Sequence, residues 1–282
     1  MRLEQLNPFY IIKNRKNIPD LLKYQYQYQK QKYIPFCHKH EIPLTKNEFK
    51  IKALKNKHKG KRAFIIGNGP SLKIEDLDKL KNEITFASNK IYLAFDQTDW
   101  RPVYYSVIDI MVAQNNSEKI KNLKLPNQIF TKQLFSYFDS NNIYITNKQN
   151  SNNQEYGFSQ NLLEGSLPGY TVLFFQMQLA YYMGIQEIYL IGTDFSFSIS
   201  KQINEKSING EILLEQENEN NHFHPDYRQP GEKWTYPKLE EQKQAFKAAN
   251  DFFNSKRYKI KNASRKTKLK VFPLVNFDDL FI

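Results

Sequence analysis

The stretch Arg62-Ala-Phe-Ile-Ile-Gly-Asn-Gly-Pro-Ser71 decides how the rest of the chain is read. Residues 63–66 form a short continuous apolar run, the pattern of a strand buried on both faces, and Gly67-Asn-Gly-Pro-Ser71 breaks it sharply. Gly67 and Gly69 allow backbone angles closed to other residues and leave no side chain in the way of a close neighbour. Leu72, Ile74, Leu77 and Leu80 then recur at a spacing that suits a short helix. A strand that turns on glycines can aim unpaired N–H groups at a phosphate. The same turn can also simply join a strand to a helix, and it is neither the dinucleotide fingerprint nor a P-loop.

Outward from this stretch the chain alternates. Residues 84–88, 103–108, 128–131, 143–146 and 187–191 read as strands, with 258–262 and 270–273 as the last of them. Residues 171–183 are apolar almost throughout, which predicts a buried helix stopped by Gly184. Residues 239–255 carry Ala245, Ala248, Ala249, Phe252 and Phe253 at helical spacing. A strongly apolar helix followed by a strongly apolar strand predicts an α/β fold, a mostly parallel sheet with helices on both faces. Residues 196–221 are polar and acidic and read as a mobile loop or lid; residues 148–154 read as an exposed loop. Residues 21–30 alternate aromatic and polar side chains and fit either a strand or a helix.

The net charge of +12 is unevenly placed. Residues 1–62 hold sixteen Lys and Arg against four Asp and Glu, whereas the rest of the chain balances 25 against 25. The expected division is therefore a basic N-terminal extension, 1–60, and a charge-balanced Rossmann-like α/β domain, 61–282. A cationic arm suits an anionic membrane surface, although a solvated helical face has the same composition. No nucleic-acid-binding motif accompanies it, so nucleic acid is the weaker partner. Cys37 is the only cysteine, which excludes an internal disulfide and a cysteine zinc cluster. Cys37-His-Lys-His40 reads as surface chemistry rather than as a metal site. No apolar signal-peptide core and no run near the ~20 residues of a membrane span are present. The expected location is the cytoplasm, peripheral to the inner face of the membrane.

Ligands of a parallel sheet collect at the carboxyl ends of its strands. Those ends carry Asn68 and Ser71, Ser88 and Asn89, Asp109, Thr193 and Asp194, and finally Asn262 and Ser264. Such donors and acceptors suit a nucleotide, whose base, ribose and phosphates all need hydrogen bonds in a partly dry cleft. Beyond residue 62 the only histidines are His222 and His224, in Asn221-His-Phe-His-Pro-Asp-Tyr227. A histidine is the natural general base for a hydroxyl. With Asp226, the pair could instead hold a metal from one face of an extended segment, or make structural hydrogen bonds. His222 is the first candidate for the base, because Phe223 can anchor it.

Five blocks carry a resemblance: residues 64–72, 86–92, 100–109, 179–194 and 221–227. Together they resemble the domain family named after the archaeal 6-hydroxymethylpterin diphosphokinase, MptE-like, which includes flagellin-associated motility accessory factors. That family is similar in turn to the bacterial lipooligosaccharide sialyltransferases, which use CMP-sialic acid. The resemblance implies a Rossmann-like, sialyltransferase-like enzyme of lipopolysaccharide biosynthesis. It would move a sugar from a CMP-nonulosonate or CMP-Kdo donor to a glycan or lipid-linked acceptor, with no cofactor required. By the same resemblance Gly67, Asn68, Gly69, Ser71, Ser88 and Asn89 would hold the nucleotide, and Asp194, beside Thr193, matches the aspartate after the buried strand. Asp109 stands where the sialyltransferases carry an asparagine. Ser196 stands at their phosphate-binding tyrosine, so Tyr227 would substitute. Their histidine base precedes the last long helix; no histidine lies near Pro237, and the role passes to His222 or His224. The lid would close over the donor and exclude water. Two alternatives remain: a diphosphokinase using ATP, with Mg²⁺ on Asp109 and Asp194, and a non-catalytic accessory protein that docks through residues 1–60.

Overall fold

The computed structural model describes residues 27–148, 156–199, 201–207, 210–218 and 220–281, together with Leu22 and Gln25. Residues 1–21 of the basic extension lie outside the described residues, as does all but Lys148 of the loop expected at 148–154. Where it is described, the 21–30 alternation resolves as helix: a π-helical turn, Gln29–Tyr33, runs into α1 (Ile34–Lys39). In chain order there follow α2 (Lys46–Leu54), β1 (Arg62–Ile66), α3 (Ile74–Asp78), β2 (Ile84–Ser88), β3 (Tyr104–Val107), α4 (Ile110–Lys121), β4 (Gln128–Thr131) and β5 (Ile143–Ile145). Next come α5 (Val172–Tyr182), β6 (Glu187–Ile191), β7 (Lys201–Lys206), β8 (Ile212–Glu215), β9 (Lys233–Thr235), α6 (Leu239–Ser255) and β10 (Lys259–Asn262).

Seven strands form one parallel sheet in the order β10-β6-β1-β2-β3-β4-β5. Successive residues of a strand point to opposite faces, so β1 feeds two apolar layers. Ala63 and Ile65 join Phe86, Ile188 and Leu190 under α5 and α6, whereas Phe64 and Ile66 join Ala87, Tyr189 and Ile191 under Leu77, Leu80 and the C-terminal Phe277. α5 lies in the first layer with only Tyr181 not buried, which is why its apolar pattern runs all round. Thr171 caps it, its hydroxyl accepting the Leu173 N–H at 3.3 Å, and Gly184 at φ +82° ends it.

Four expectations are corrected. The boundary at residue 60 does not separate an arm from a body. α2 opens on a capping box between Thr45 and Glu48, and its Ile51 and Leu54 are buried in the first layer. Asn47 covers the sheet's edge strand, donating to the Tyr144 carbonyl at 2.7 Å and accepting the Tyr144 N–H at 2.9 Å. Asn56, His58 and Gly60 donate their N–H groups to the carbonyls of Tyr182, Met183 and Gly184. Cys37 is not a surface thiol either, being 3% exposed. Residues 270–273 form no strand: beside β10 there is only an isolated bridge from Asn262 to Leu274, and Pro273 lacks the N–H a ladder needs.

The fourth correction concerns the lid. Within the segment read as a loop, β7 and β8 pair antiparallel, and β9 adds to β8 to give a second, three-stranded sheet. The chain enters and leaves the β7–β8 excursion at a double hydrogen bond, with Ser198 N–H to Asn221 Oδ1 at 2.7 Å and Asn221 Nδ2 to the Ser198 carbonyl at 2.9 Å.

At the centre of the parallel sheet the Gly67 N–H donates to the Ile191 carbonyl and the Gly69 N–H to the Gly192 carbonyl, each at 2.8 Å. A Cβ on Gly67 would stand 2.4 Å from the Gly192 oxygen, well inside contact distance. Gly67→Ala should therefore cost about 1–3 kcal/mol of folding stability. A lower urea midpoint with an unchanged slope is the expected reading, and an unshifted midpoint would refute the close packing of β1 on β6.

Candidate functional site

The glycine turn after β1 is occupied by the protein itself. Besides the two glycine N–H groups, the Ser71 N–H donates to Asp194 Oδ2 at 2.8 Å, the Ser71 hydroxyl donates to Asp194 Oδ1, and the Leu72 N–H returns to the Gly69 carbonyl. Burial pushes the Asp194 carboxyl up, against the pull of these Ser71 bonds. Thr193 is engaged likewise: its N–H meets Ser264 Oγ at 2.9 Å and its carbonyl accepts the Thr267 hydroxyl at 2.7 Å. Gly67, Gly69, Ser71, Thr193 and Asp194 thus form a clasp between β1 and β6, and none of them lines the main cleft. The donors expected to meet a phosphate here are consumed by the close approach of two backbones.

Asn68 works through the next shell of contacts. Its Nδ2 reaches the Ser88 carbonyl at 3.2 Å, and its own carbonyl accepts the Phe223 N–H at 3.0 Å. The turn therefore fixes the segment that carries both histidines.

A cleft of about 410 Å³ opens instead over the carboxyl ends of β2 to β5, lined by Asn89, Asp109 and Asn147, which follow β2, β3 and β5, and by Thr131, the last residue of β4. Thr171, the N-cap of α5, and Trp234 of β9 line it as well. His222, Tyr227 and Arg228 also line it. Of the residues singled out from sequence, Asn89, Asp109, His222 and Tyr227 come together here. His224 does not line the cleft; its Nδ1 accepts the Asp226 N–H at 3.1 Å and caps the 3-10 turn Pro225–Tyr227. Among the described residues no three His, Cys, Asp or Glu side chains converge for a metal.

Lys233 and Lys238 line the cleft as well as Lys90 and Arg228, and none of the four was read from the sequence; Lys90 and Arg228 are the two whose charge acts on His222. Each directly follows a residue that was read, Asn89 and Tyr227, and that adjacency was the available signal. Lys90 is 7% exposed, with Nζ 2.8 Å and 3.0 Å from the two carboxylate oxygens of Glu232. Burial lowers its pKa, and the Glu232 contact opposes that shift. The Arg228 guanidinium lies over the Trp234 ring at 3.7 Å.

His222 stacks flat on Tyr227, with ring centroids 3.7 Å apart and planes 2° from parallel. Burial first, then the charges of Arg228 and Lys90, hold His222 well below the ordinary 6.5, so its imidazole is neutral at neutral pH. Burial pushes the Tyr227 phenol up to about 12, so it stays protonated. Asp109 is raised by burial while its Oδ1 accepts the Met111 N–H at 2.7 Å as the cap of α4. Asn89 Oδ1, Thr131 Oγ1 and Trp234 Nε1 are buried without a hydrogen-bond partner in the protein. The cleft therefore combines a neutral base, a protonated phenol, four cations, the acidic side chains Asp109, Glu211 and Glu232, and several uncommitted polar atoms. The two aspartates of the diphosphokinase alternative are not brought together: Asp109 lines the cleft and Asp194 belongs to the clasp.

A parallel sheet covered by helices on both faces, with its cleft at the carboxyl ends of the strands, defines a Rossmann-like α/β protein. The chain belongs to the 6-hydroxymethylpterin diphosphokinase MptE-like family, whose profile matches residues 36–200. That match begins inside the basic segment and ends before the His222–Tyr227 stretch, β8, β9 and α6. Among solved structures, a Maf glycosyltransferase from Magnetospirillum magneticum AMB-1 aligns at 14% identity and a TM-score of 0.46, over 80% of this chain and 37% of that one. The chain thus spans little more than a third of that protein's length. No curated protein matches the sequence.

The state of His222 has a measurable consequence. As pH falls through about 6.5, the unfolded chain takes up a proton that the folded His222 refuses, so this group's contribution makes folding less stable toward acid. His222→Gln should flatten the pH dependence of the urea midpoint between about pH 7 and about pH 5. An unchanged slope in the His222 variant would mean that this imidazole titrates as an exposed one does.

Proposed function

We propose that the chain is a glycosyltransferase that moves a sugar from a nucleotide donor, a CMP-nonulosonate or CMP-Kdo, to a hydroxyl of a cell-surface glycan or lipid-linked acceptor. The observation that carries this reading is the juxtaposition of the neutral His222 imidazole with Lys90 and Arg228 in one cleft. A transfer of this kind needs a proton acceptor beside a site for a departing phosphate, and the three side chains supply both.

On this reading the acceptor oxygen attacks the anomeric carbon of the donor sugar, and its proton passes to His222. The bond from that carbon to the phosphate oxygen breaks, and the phosphate leaves with the electron pair. Lys90, Arg228 and the Tyr227 phenol would meet the charge that develops on the phosphate. The bound phosphate would also offset the two cations that depress His222, and so raise its basicity when the donor is in place. The uncommitted Asn89 Oδ1 and Thr131 Oγ1 would accept hydrogen bonds from the base or ribose. Side-chain cations fill the role that a metal fills elsewhere, so the reading requires no cofactor. The β7–β9 sheet would restrict water at the reacting centre.

Calorimetry with CMP, UDP, ADP and a pterin, with and without Mg²⁺, tests the donor. CMP binding without metal is expected, weakened about tenfold or more by Lys90→Met, the loss of one charge-assisted contact. His222→Ala should retain CMP binding but lower the turnover of a CMP-sugar by about 10²–10⁴-fold. Magnesium-dependent ATP binding without CMP binding would sink the proposal in favour of the diphosphokinase. If the organism's surface glycan is unchanged when His222→Ala replaces the wild-type chain, an accessory role replaces the catalytic one.

A further inference from the structure

The described residues expose twelve large hydrophobic side chains, and six of them fall between residues 22 and 49: Leu22, Tyr28, Tyr33, Phe36, Ile42 and Phe49. Phe49 is 62% exposed although it stands in α2, beside Ile51 at 3%. Phe36 is 58% exposed although it stands in α1, next to Cys37 at 3%. Both helices are therefore seated on the body by one side and present aromatic rings on another. The seating is specific: the Asn161 side chain donates to the His38 carbonyl at 2.7 Å, and His38 meets Glu48 at 3.1 Å.

The charge of the same stretch has one sign. Residues 22–60 contain ten lysines and two acids, Glu41 and Glu48. Neither acid faces the lysines of the first helical run as a free counter-charge. Glu41 is paired with Lys55, and Glu48 is taken by His38 and by the N–H groups of Leu44 and Thr45. Lys30, Lys32 and Lys39 alternate with Tyr28, Tyr33 and Phe36 along one continuous run of helix, all six of them exposed. Aromatic rings among lysines are what an anionic lipid surface recognises: the rings enter the headgroup boundary, and the ammonium groups meet lipid phosphates. No helix among the described residues is long and apolar enough to cross a membrane, so the attachment would be lateral.

We infer that α1, α2 and the helical turn before them form a membrane-docking face that binds anionic phospholipid bilayers through Tyr28, Tyr33, Phe36 and Phe49 together with Lys30, Lys32 and Lys39. No residue of these three elements lines the cleft, so the inference stands whatever the donor proves to be. The docked chain would carry its cleft at the bilayer surface, where a lipid-linked substrate is confined.

Co-sedimentation of the full chain with vesicles of equal phosphatidylglycerol and phosphatidylethanolamine, compared with pure phosphatidylcholine, tests this. Pelleting with the first and not the second is expected, lost as salt rises past the range in which surface charge is screened. Phe36→Ser/Phe49→Ser and Lys30→Glu/Lys32→Glu/Lys39→Glu should each weaken it by about tenfold or more. Circular dichroism and the urea midpoint verify that both variants fold, since all five positions are exposed. Equal pelleting with phosphatidylcholine, or full binding by the folded variants, overturns the inference. So does tighter binding to an RNA duplex than to the anionic vesicles, or a self-association that the Phe36→Ser/Phe49→Ser change abolishes while vesicle binding persists.

Discussion

Two peptide backbones meeting without side chains between them set the rest of this molecule in place. Gly67 and Gly192 follow adjacent parallel strands, and a methyl group on Gly67 has nowhere to go. In an open α/β sheet the strand order reverses at this junction, and the crevice there is the usual ligand site. Here the crevice is shut by hydrogen bonds between the two turns and by the Ser71–Asp194 contact. Closing it has two effects. The cleft moves along the sheet to the ends of β2–β5, and the Asn68 carbonyl is left pointing at Phe223, which seats the histidine segment. The glycines contribute to the site by positioning others.

The cleft owes its character to burial more than to any one charge. An ammonium at 7% exposure is tolerated because both Glu232 oxygens lie on it, and removing such a partner leaves a desolvated charge behind. His222 responds in the opposite way, by staying neutral. The flat His222–Tyr227 stack gives both rings a defined orientation, and the π-face of Tyr227 also lies 5.8 Å from the Lys90 ammonium. Histidine, phenol and lysine thus meet around one aromatic ring, and a change of charge at one is felt by all three.

Much of the fold was legible in the sequence because a parallel sheet buried on both faces writes itself as apolar runs. The strands at 62–66, 84–88, 128–131 and 187–191 and the two long helices are where their patterns put them. Less was legible where local pattern and tertiary context part. Asn47, Ile51 and Leu54 sit in a stretch dominated by lysine, and only the edge strand they cover reveals their purpose. The polar residues 196–221 held two strands that alternate too weakly to declare themselves. For the site, the polar strand ends and the histidine segment were visible, but composition could not tell which N–H groups the fold would consume. Nor could it tell His222, at the cleft, from His224, two residues on, which caps a turn.

The paired hydrogen bonds between Ser198 and Asn221 carry one more implication. A side-chain amide there imitates a strand neighbour and holds the two ends of the β7–β8 excursion side by side. Because closing a longer loop between fixed ends costs only slowly more entropy, the excursion can lengthen or shorten with little effect on the seven-stranded frame. β9 remains behind on the far side of the histidine segment, with Glu232 and Trp234 near the cleft. The molecule thus separates a part whose size is free to drift from a part whose spacing is fixed, and the join between them is a single asparagine.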